Sequence, residues 1–311
     1  MSFKKLLDPK VKTTLVKEWS LSEAQIEKLT KDTGEVSPIQ KIKSPKLDLK
    51  VEELRIFPEK FLPEHLLLPH GWWPSYFCRP RYRVRKNQKN LTPIEWNRFI
   101  HAIEALADSD MPTPTYQEFV QIHVQAMSMA GMTWGAHNGV NFLTWHREYL
   151  AKLEARLMAI NPLVTIPYWN WIEDRVSIPA ALSNSADLVR WGVTRLSSFN
   201  GSSIATAANH SSLMALGTFS AFSSMLEASP FHNRIHGLVG GTSETMATSS
   251  SPADPIFWLH HCFIDKLFAD WQVLHPAITH PNPTEILQPP PIMTRKNSEV
   301  WNIHSLGYVY Q

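Results

Sequence analysis

The chain has 311 residues, 43% of them hydrophobic and 19% charged, and its formal net charge at pH 7 is +2. A chain of this length and composition can fold as one large globular domain or as two small ones, with a substantial core. The weak net charge and the lack of a basic stripe interleaved with aromatic residues argue against nucleic-acid binding. No run of 18 apolar residues predicts a membrane-spanning helix.

The first 85 residues differ in sequence pattern from the rest of the chain. The apolar segment 57–77 is interrupted by four prolines, which predicts an irregular path rather than helices or strands. We therefore expect residues 1–85 to form an N-terminal extension that wraps over a catalytic domain at 86–311. The alternation of basic residues over 79–86 predicts a strand whose arginines form one solvated face.

The cysteines and the N-terminus bear on the cellular location. Only Cys78 and Cys262 are present, so the sequence predicts no disulfide framework. The first fifteen residues, MSFKKLLDPKVKTTL, lack the apolar centre of a secretory signal peptide. We therefore expect a cytoplasmic protein.

Helical patterns begin near residue 91. Thr92, Pro93 and Glu95 are typical of a helix start and predict a helix of about fifteen residues through Ala107. The other predicted helices run from Tyr116 to Met129, from Asn141 to Ile160, around His232 and His236, and from a start at Asp254–Pro255 through Trp271. The Ser-, Ala- and Asn-rich segment 177–215 is expected to form surface loops.

Two groups of histidines, widely separated in the sequence, are the candidate metal ligands. The first group is His123, His137 and His146, and the second is His232, His236, His260 and His261. Neutral imidazole is the side chain that proteins use most to bind copper, zinc and iron. Two three-histidine sets without carboxylate or thiolate companions predict a binuclear site held by six imidazoles, which is the ligand set of coupled binuclear copper. His101 is a weaker candidate on another predicted helix.

Spacing also excludes some metal sites and leaves one question open. His232 and His236 share a helix face, but a zinc protease would need Glu where this chain has Asn233. A di-iron bundle would need glutamate ligands that neither group supplies. His260 and His261 are adjacent and point about 100° apart on a helix, so only one of them is expected to reach a given ion. Spacing does not decide which.

Three segments resemble the copper-binding signatures of the tyrosinase family, which also includes catechol oxidases and molluscan haemocyanin units. They are WHREYL at 145–150, HNRIHGLVGG at 232–241 and DPIFWLHHCFIDKLFADW at 254–271. Residues 85–103 resemble the opening segment of the family, and Tyr308-Val309-Tyr310 is similar to its closing Tyr-x-Tyr motif. The resemblance covers residues 84–311. It implies a mainly α fold, a four-helix bundle holding a binuclear copper site, with long loops and a few short strands.

The resemblance also assigns metal ligands. Copper A would be bound by His123, His137 and His146, and copper B by His232, His236 and His261. His260 would not bind copper but would help to fix the orientation of the ligands. Two positions depart from the family pattern. Thr144 stands where the family usually has proline, a change that we expect to be tolerated at a helix start. Gly135 stands where some members carry a cysteine bonded to a ligand histidine, so no such crosslink is expected, and Cys262 is interpreted as a small core residue.

The implied activity is that of a tyrosinase, an enzyme that uses two copper ions and O2 to hydroxylate monophenols and to oxidise ortho-diphenols to ortho-quinones. Glu227 and Asn233 resemble the pair that holds a basic water in tyrosinases. An alternative interpretation is that Glu227 only supplies a negative charge at the start of the second histidine helix. The loop 242–251 is expected to overhang the site, and residues 66–76 are expected to cover part of its entrance.

Three other functions share the same motifs: a catechol oxidase without monophenolase activity, an ortho-aminophenol oxidase, and an oxygen carrier like haemocyanin. Glu227 and Asn233 favour a tyrosinase over a catechol oxidase. The sequence shows no additional shielding domain, so we expect an enzyme rather than a carrier. The expected partners are small phenols and O2, with neither nucleic acid nor membrane. The sequence leaves open whether the chain forms a homo-oligomer and whether a partner protein loads the copper.

Overall fold

The computed structural model describes residues 82–108, 111–132 and 135–311. These residues form a mainly helical domain, as predicted. The helices are α1 Pro93–Leu106, α2 Tyr116–Ser128, α3 Phe142–Ile160, α4 Ser185–Trp191, α5 Ala207–Met214, α6 Phe219–Glu227, α7 His232–Gly240, α8 Ile256–Leu274 and α9 Asn297–Val300. Two short strands, β1 Arg83–Arg85 and β2 Tyr308–Tyr310, pair in parallel.

The helix starts follow from local sequence. At the start of α1 the Thr92 hydroxyl accepts the Glu95 N–H, and the Glu95 carboxylate accepts the Thr92 N–H at 2.8 Å. Thr115 and Glu118 form the same reciprocal pair at the start of α2. Such a pair satisfies backbone N–H groups that a helix start otherwise leaves without partners. The predicted bounds of α1, α2 and α3 are confirmed to within a residue.

The centre of the domain is built by α3 and α8, which pack against each other. Both helices are buried over most of their 19 residues. Aromatic side chains fill the space between them, and the rings of Tyr149 and Trp258 lie 4.7 Å apart. A helix that is apolar on nearly all sides belongs in the interior. The outer helix α1 also packs against α3.

The paired strands carry a buried ion cluster instead of a solvated basic face. Arg85 is fully buried and donates to both oxygens of Glu154 at 3.1 Å, and it lies 3.3 Å from Asp265. Val84, between the arginines, is 38% exposed. The predicted orientation of this strand was therefore wrong, because the buried carboxylates on α3 and α8 require a cationic partner.

The segment 177–215 also differs from its prediction. It contains α4 and α5, and it contributes Leu182, Ile204 and Leu213 to the hydrophobic core. The prediction of surface loops was wrong here because these helices are short, with seven and eight residues, and α5 consists largely of small residues. Asn184 and Thr206 cap them with side-chain hydrogen bonds. Their place in the core depends on a few widely spaced apolar side chains.

The predicted N-terminal extension lies outside the described residues except for residues 82–85. Its boundary at residue 85 and the proposed covering role of residues 66–76 therefore stay predictions. Among the described residues, no helix combines the length and the apolar character that crossing a membrane requires.

Candidate metal centre

The two histidine groups come together in space. One ring nitrogen from each of His123, His137 and His146 lies within 4.8 Å of the others, and the same holds for His232, His236, His260 and His261. The groups adjoin, since the rings of His146 and His261 stack with centroids 4.1 Å apart. His101, the weaker candidate, is exposed on α1. All six histidines predicted as ligands are thus collected in one place.

Four helices and one loop position these six side chains. His123 lies on α2, His146 on α3, His232 and His236 on α7, and His261 on α8. His137 lies on the loop between α2 and α3. A hydrogen bond of 2.8 Å from the Gly131 N–H to the His137 carbonyl links the start of this loop to the residue that carries the imidazole. A bundle of four helices therefore carries five of the six imidazoles, as the fold prediction implies.

Backbone carbonyls orient several of the rings. The Nδ1–O distance is 2.6 Å from His123 to Ser249, 2.9 Å from His146 to Phe142, and 2.6 Å from His236 to Met246. A carbonyl can only accept, so Nδ1 carries the proton and Nε2 keeps its lone pair. Metal-binding histidines are usually held in this way.

Several ring nitrogens lack protein partners. Nε2 of His146, His232 and His260 and Nδ1 of His261 are buried without a hydrogen bond. Nε2 of His123 and Nε2 of His137 face each other at 3.3 Å, and those of His236 and His261 do so at 3.4 Å. Buried ring nitrogens with converging lone pairs need a cation or proton between them. The donor set fits two ions bound by neutral imidazoles.

Burial sets the charge of these rings. Loss of hydration lowers the pKa of His123, His146, His232 and His261 well below the ordinary value. It lowers the pKa of His236 to about 4. The rings are therefore neutral near pH 7, which is the state that binds a metal ion.

The adjacent pair on α8 is asymmetric. The indole N–H of Trp171 donates to Nδ1 of His260 at 3.1 Å. Indole is only a donor, so Nδ1 of His260 must accept, and the proton of the neutral ring sits on Nε2. His260 consequently has no lone pair to offer at Nε2. His261 keeps its Nε2, which lies 3.4 Å from Nε2 of His236.

Glu227 and Asn233 flank the histidines. Glu227 is buried at the end of α6, where its Oε1 accepts the Asn138 N–H at 2.8 Å and lies 3.3 Å from Nδ1 of His137. Oδ1 of Asn233 lies 2.9 Å from Nδ1 of His232. Glu227 and Asn233 line the same cleft of about 360 Å³.

The alternative interpretation of Glu227 was wrong. Glu227 ends one helix, and a separate helix begins at His232 with no acidic residue in its first turn. A carboxylate at the C-terminus of α6 gains nothing from that helix dipole. Its position is explained by the Asn138 and His137 donors instead.

The two departures from the family pattern have structural reasons. A Cβ at Gly135 would lie 2.1 Å from the Met129 carbonyl oxygen, so the backbone leaves no room for a cysteine there. In the first turn of α3, Thr144 donates to Oδ1 of Asn297 at 2.6 Å. Cys262 is fully buried and donates to the Ile166 carbonyl at 3.4 Å, as expected of a core residue.

Sequence reasoning missed the residues that brace the site. Met246 and Ser249 lie in the loop 242–251, which was expected only to overhang the histidines. Their carbonyls instead hold His236 and His123. Backbone carbonyls are common to every residue type, so no side-chain signal could have identified them. The sequence identified Trp171 only as part of an aromatic segment and did not predict its hydrogen bond to His260.

Comparison with known proteins agrees with this arrangement. The family model described as the common central domain of tyrosinase matches residues 113–210 and 183–274. A tyrosinase of Streptomyces glaucescens is 33% identical over 238 residues, which cover 62% of this chain and 84% of that protein.

Two solved structures share the fold. A functional unit of octopus haemocyanin is 25% identical with a TM-score of 0.60, over 73% of this chain and 68% of that one. A tyrosinase from Burkholderia thailandensis is 18% identical with a TM-score of 0.57, over 74% of each chain. The family model spans about half of the chain, and it includes all six histidines. The chain belongs to the tyrosinase family.

Proposed function

We propose that this protein is a tyrosinase that binds two copper ions and uses O2 to hydroxylate monophenols and to oxidise ortho-diphenols to ortho-quinones. The observation that carries the proposal is the pair of adjoining histidine groups whose Nε2 atoms converge without protein partners. Copper A would be held by His123, His137 and His146. Copper B would be held by His232, His236 and His261.

When bound, the two coppers would supply the binding of O2 and the electron transfer from the phenol. The protein supplies an apolar enclosure. The rings of Phe257 and Phe142 pack against His261 at 4.1 Å and His232 at 4.9 Å. His236 is only partly buried, whereas the other five histidines are buried. A phenol would approach through the cleft lined by Glu227 and Asn233, while the aromatic rings exclude water elsewhere.

Hydroxylation of a monophenol requires removal of its hydroxyl proton, whose ordinary pKa is about 10. Among the described residues, none donates to Oε2 of Glu227, although Glu227 lines the cleft. Nδ1 of His232 faces Oδ1 of Asn233, which leaves the amide Nδ2 as a donor. We assign to this pair a water that accepts from Nδ2 of Asn233 and donates to Glu227. That water would take the phenolic proton.

A catechol oxidase is the second candidate, because it needs the same copper site but no base for a monophenol. The placement of Glu227 and Asn233 on one cleft favours the tyrosinase. An ortho-aminophenol oxidase would differ only in its substrate. An oxygen carrier is disfavoured by the cleft beside the histidines, which offers phenols a place to bind.

Oxygen uptake by the copper-loaded protein distinguishes these functions. We expect turnover of both 4-methylphenol and 4-methylcatechol. Turnover of the catechol alone would indicate a catechol oxidase, and turnover of 2-aminophenol alone would indicate an aminophenol oxidase. Reversible oxygen binding without any turnover would indicate a carrier.

The proposed base has its own test. Glu227→Gln should lower kcat for 4-methylphenol by roughly 100-fold, while copper content and catechol oxidation stay near wild type. Glu173→Gln alters an exposed acidic residue outside the cleft and serves as the control. Unchanged monophenol turnover in Glu227→Gln would show that the water-holding role is wrong.

A further inference from the structure

The cleft beside the metal centre has a polar wall that the proposed chemistry does not use. It lies between the loop Asn138–Val140 and α6, and its volume is about 360 Å³. Ligand sites commonly have volumes of roughly 300–1,000 Å³. Glu227 and Asn233 line the part of the cleft that adjoins His137 and His232. The remainder of the cleft is available to the rest of a bound molecule.

Serines form this wall. Ser220, Ser223 and Ser224 line the cleft together with Glu227, and their spacing of three, four and seven residues places all four on one face of α6. Phe222 and Leu226, on the other side of α6, are fully buried in the core. The serine face is therefore turned to the cleft by the packing of the helix.

Ser223 is the residue of this wall whose hydroxyl is buried and unpaired. Its side chain is buried at 3% exposure, and its Oγ has no hydrogen bond among the described residues. Buried hydroxyls nearly always have a hydrogen-bond partner, and an unpaired one is costly. Ser220 and Ser224 are exposed at the edge of the cleft, so they remain hydrated when no ligand is bound.

The charge of the lining restricts the kind of ligand. Glu227 is the single charged side chain among the lining residues, and none of these residues is basic. A carboxylate placed in this cleft would lose hydration without gaining a counter-ion. An uncharged amide or alcohol would instead find hydroxyl groups that both donate and accept.

We propose that Ser223, with Ser220 and Ser224 at the rim, forms a subsite for an uncharged hydrogen-bonding substituent on the phenol ring. The proposal rests on the proposed function, because it places the reacting hydroxyl near Glu227 and Asn233. It assigns a substrate class: phenols and catechols that carry an amide or alcohol group, in preference to those that carry a carboxylate.

Turnover of matched catechols tests this specificity. In the copper-loaded enzyme, kcat/KM for 3,4-dihydroxyphenylacetamide should exceed that for 3,4-dihydroxyphenylacetate by at least about tenfold. Ser223→Ala should lower the value for the amide by about five- to tenfold, mainly through KM, since one hydrogen bond is lost. Oxidation of 4-methylcatechol, which lacks the substituent, should not change. Ser212→Ala, on the exposed face of α5, is the control.

Binding without turnover separates failure of the subsite from failure of the proposed function. Calorimetry on the zinc-loaded protein should show tighter binding of the amide than of the acid, and Ser223→Ala should abolish this difference. The variant should melt at or above the wild-type temperature, because it removes an unpaired hydroxyl and introduces the best helix former. Equal amide binding by wild type and Ser223→Ala, or a lower melting temperature of the variant, would overturn the proposal. Absence of 4-methylcatechol oxidation would count against the proposed function alone.

Discussion

Trp171 and His260 form a hydrogen bond that separates the roles of two adjacent histidines. The indole nitrogen lies 3.1 Å from Nδ1 of His260, in the interior of the domain. This contact fixes the proton of His260 on Nε2 and leaves His261 as the ring that faces His236. Trp171 comes from the irregular aromatic segment before α4. A contact with a residue 89 positions away from His260 thus supports the proposed assignment of His261 as the ligand, which helix spacing left open.

The copper content of two matched variants tests this separation. His261→Gln should reduce the bound copper from two ions per chain to about one, because a ligand of copper B is lost. His260→Gln should retain two, since a glutamine oxygen can still accept the Trp171 N–H. Metal analysis after dialysis of both variants provides the measurement. Loss of one copper in His260→Gln with two retained in His261→Gln would reverse the assignment.

Gly135 is predicted to be essential for the loop that carries His137. A Cβ at this position would collide with the Met129 carbonyl oxygen at 2.1 Å, so Gly135→Ala must shift the backbone. We expect a loss of about 2 kcal/mol or more in the free energy of unfolding. Gly237→Ala is the matched control, because nothing lies within 4 Å of its Cβ position on α7. The control should be neutral or stabilising by about 1 kcal/mol. Urea denaturation of both variants provides the comparison, and equal stabilities would contradict the expectation.

The buried ion cluster at the paired strands should be sensitive to the loss of any one of its charges. Asp265 accepts hydrogen bonds from Arg147, Tyr308 and Tyr310 at 2.5 Å each. Burial alone would raise the pKa of Asp265, but Arg147 and Arg85 outweigh it and lower the pKa. Asp265→Asn leaves the arginines with less compensating charge.

We expect Asp265→Asn to cost about 3–5 kcal/mol of unfolding free energy. Asp270→Asn, five residues further along α8, breaks only a partly exposed pair with Lys266. That change should cost less than about 1 kcal/mol. Chemical denaturation at pH 7 measures both effects. A small effect of Asp265→Asn would contradict the expectation that the buried arginines depend on the Asp265 charge.

The metal-free protein should become less stable as the pH falls. The histidines whose pKa is lowered by burial take up protons in the unfolded chain near pH 6.5, but in the folded chain only at lower pH, about 4 for His236. The unfolded state therefore binds more protons in this window. Each such histidine costs at most about 1.4 kcal/mol of stability per pH unit.

Denaturation of the metal-free protein at pH 7.5 and pH 5.5 measures this effect. Stability should be fully present above about pH 6.5 and should be markedly lower at pH 5.5. His236→Gln removes one of the contributing groups and should reduce the difference. Equal unfolding free energies at the two pH values would contradict the buried, neutral state of these rings.

The long helices and the histidine positions could be predicted because their signals are local. Thr92 and Glu95 form the hydrogen bonds that cap the start of α1, so their residue types indicate a helix start. The histidine spacings on α7 and α8 follow the helical repeat. The six histidines were found because imidazole carries its chemistry in the side chain. Their gathering in one place is confirmed by the structure, while their binding of copper stays a proposal.

The remaining features depend on tertiary contacts that no local pattern reports. Arg85 alternates with Val84 as a surface strand would, yet Glu154 and Asp265 draw it into the interior. Helix α6, which places Glu227 and Ser223, was not predicted. It has only nine residues, and its serines resemble a loop although five of the nine residues are apolar. The roles of the Met246 and Ser249 carbonyls could not be predicted, because every residue has a backbone carbonyl.

We propose above that two adjoining three-histidine groups form one binuclear copper site that reacts with oxygen. The most direct measurement combines the copper content with the near-ultraviolet spectrum of the copper-loaded protein before and after addition of hydrogen peroxide. We expect two coppers per chain and an intense new band that is absent from His137→Gln and His261→Gln. Two coppers per chain without such a band would contradict a binuclear site that reacts with oxygen.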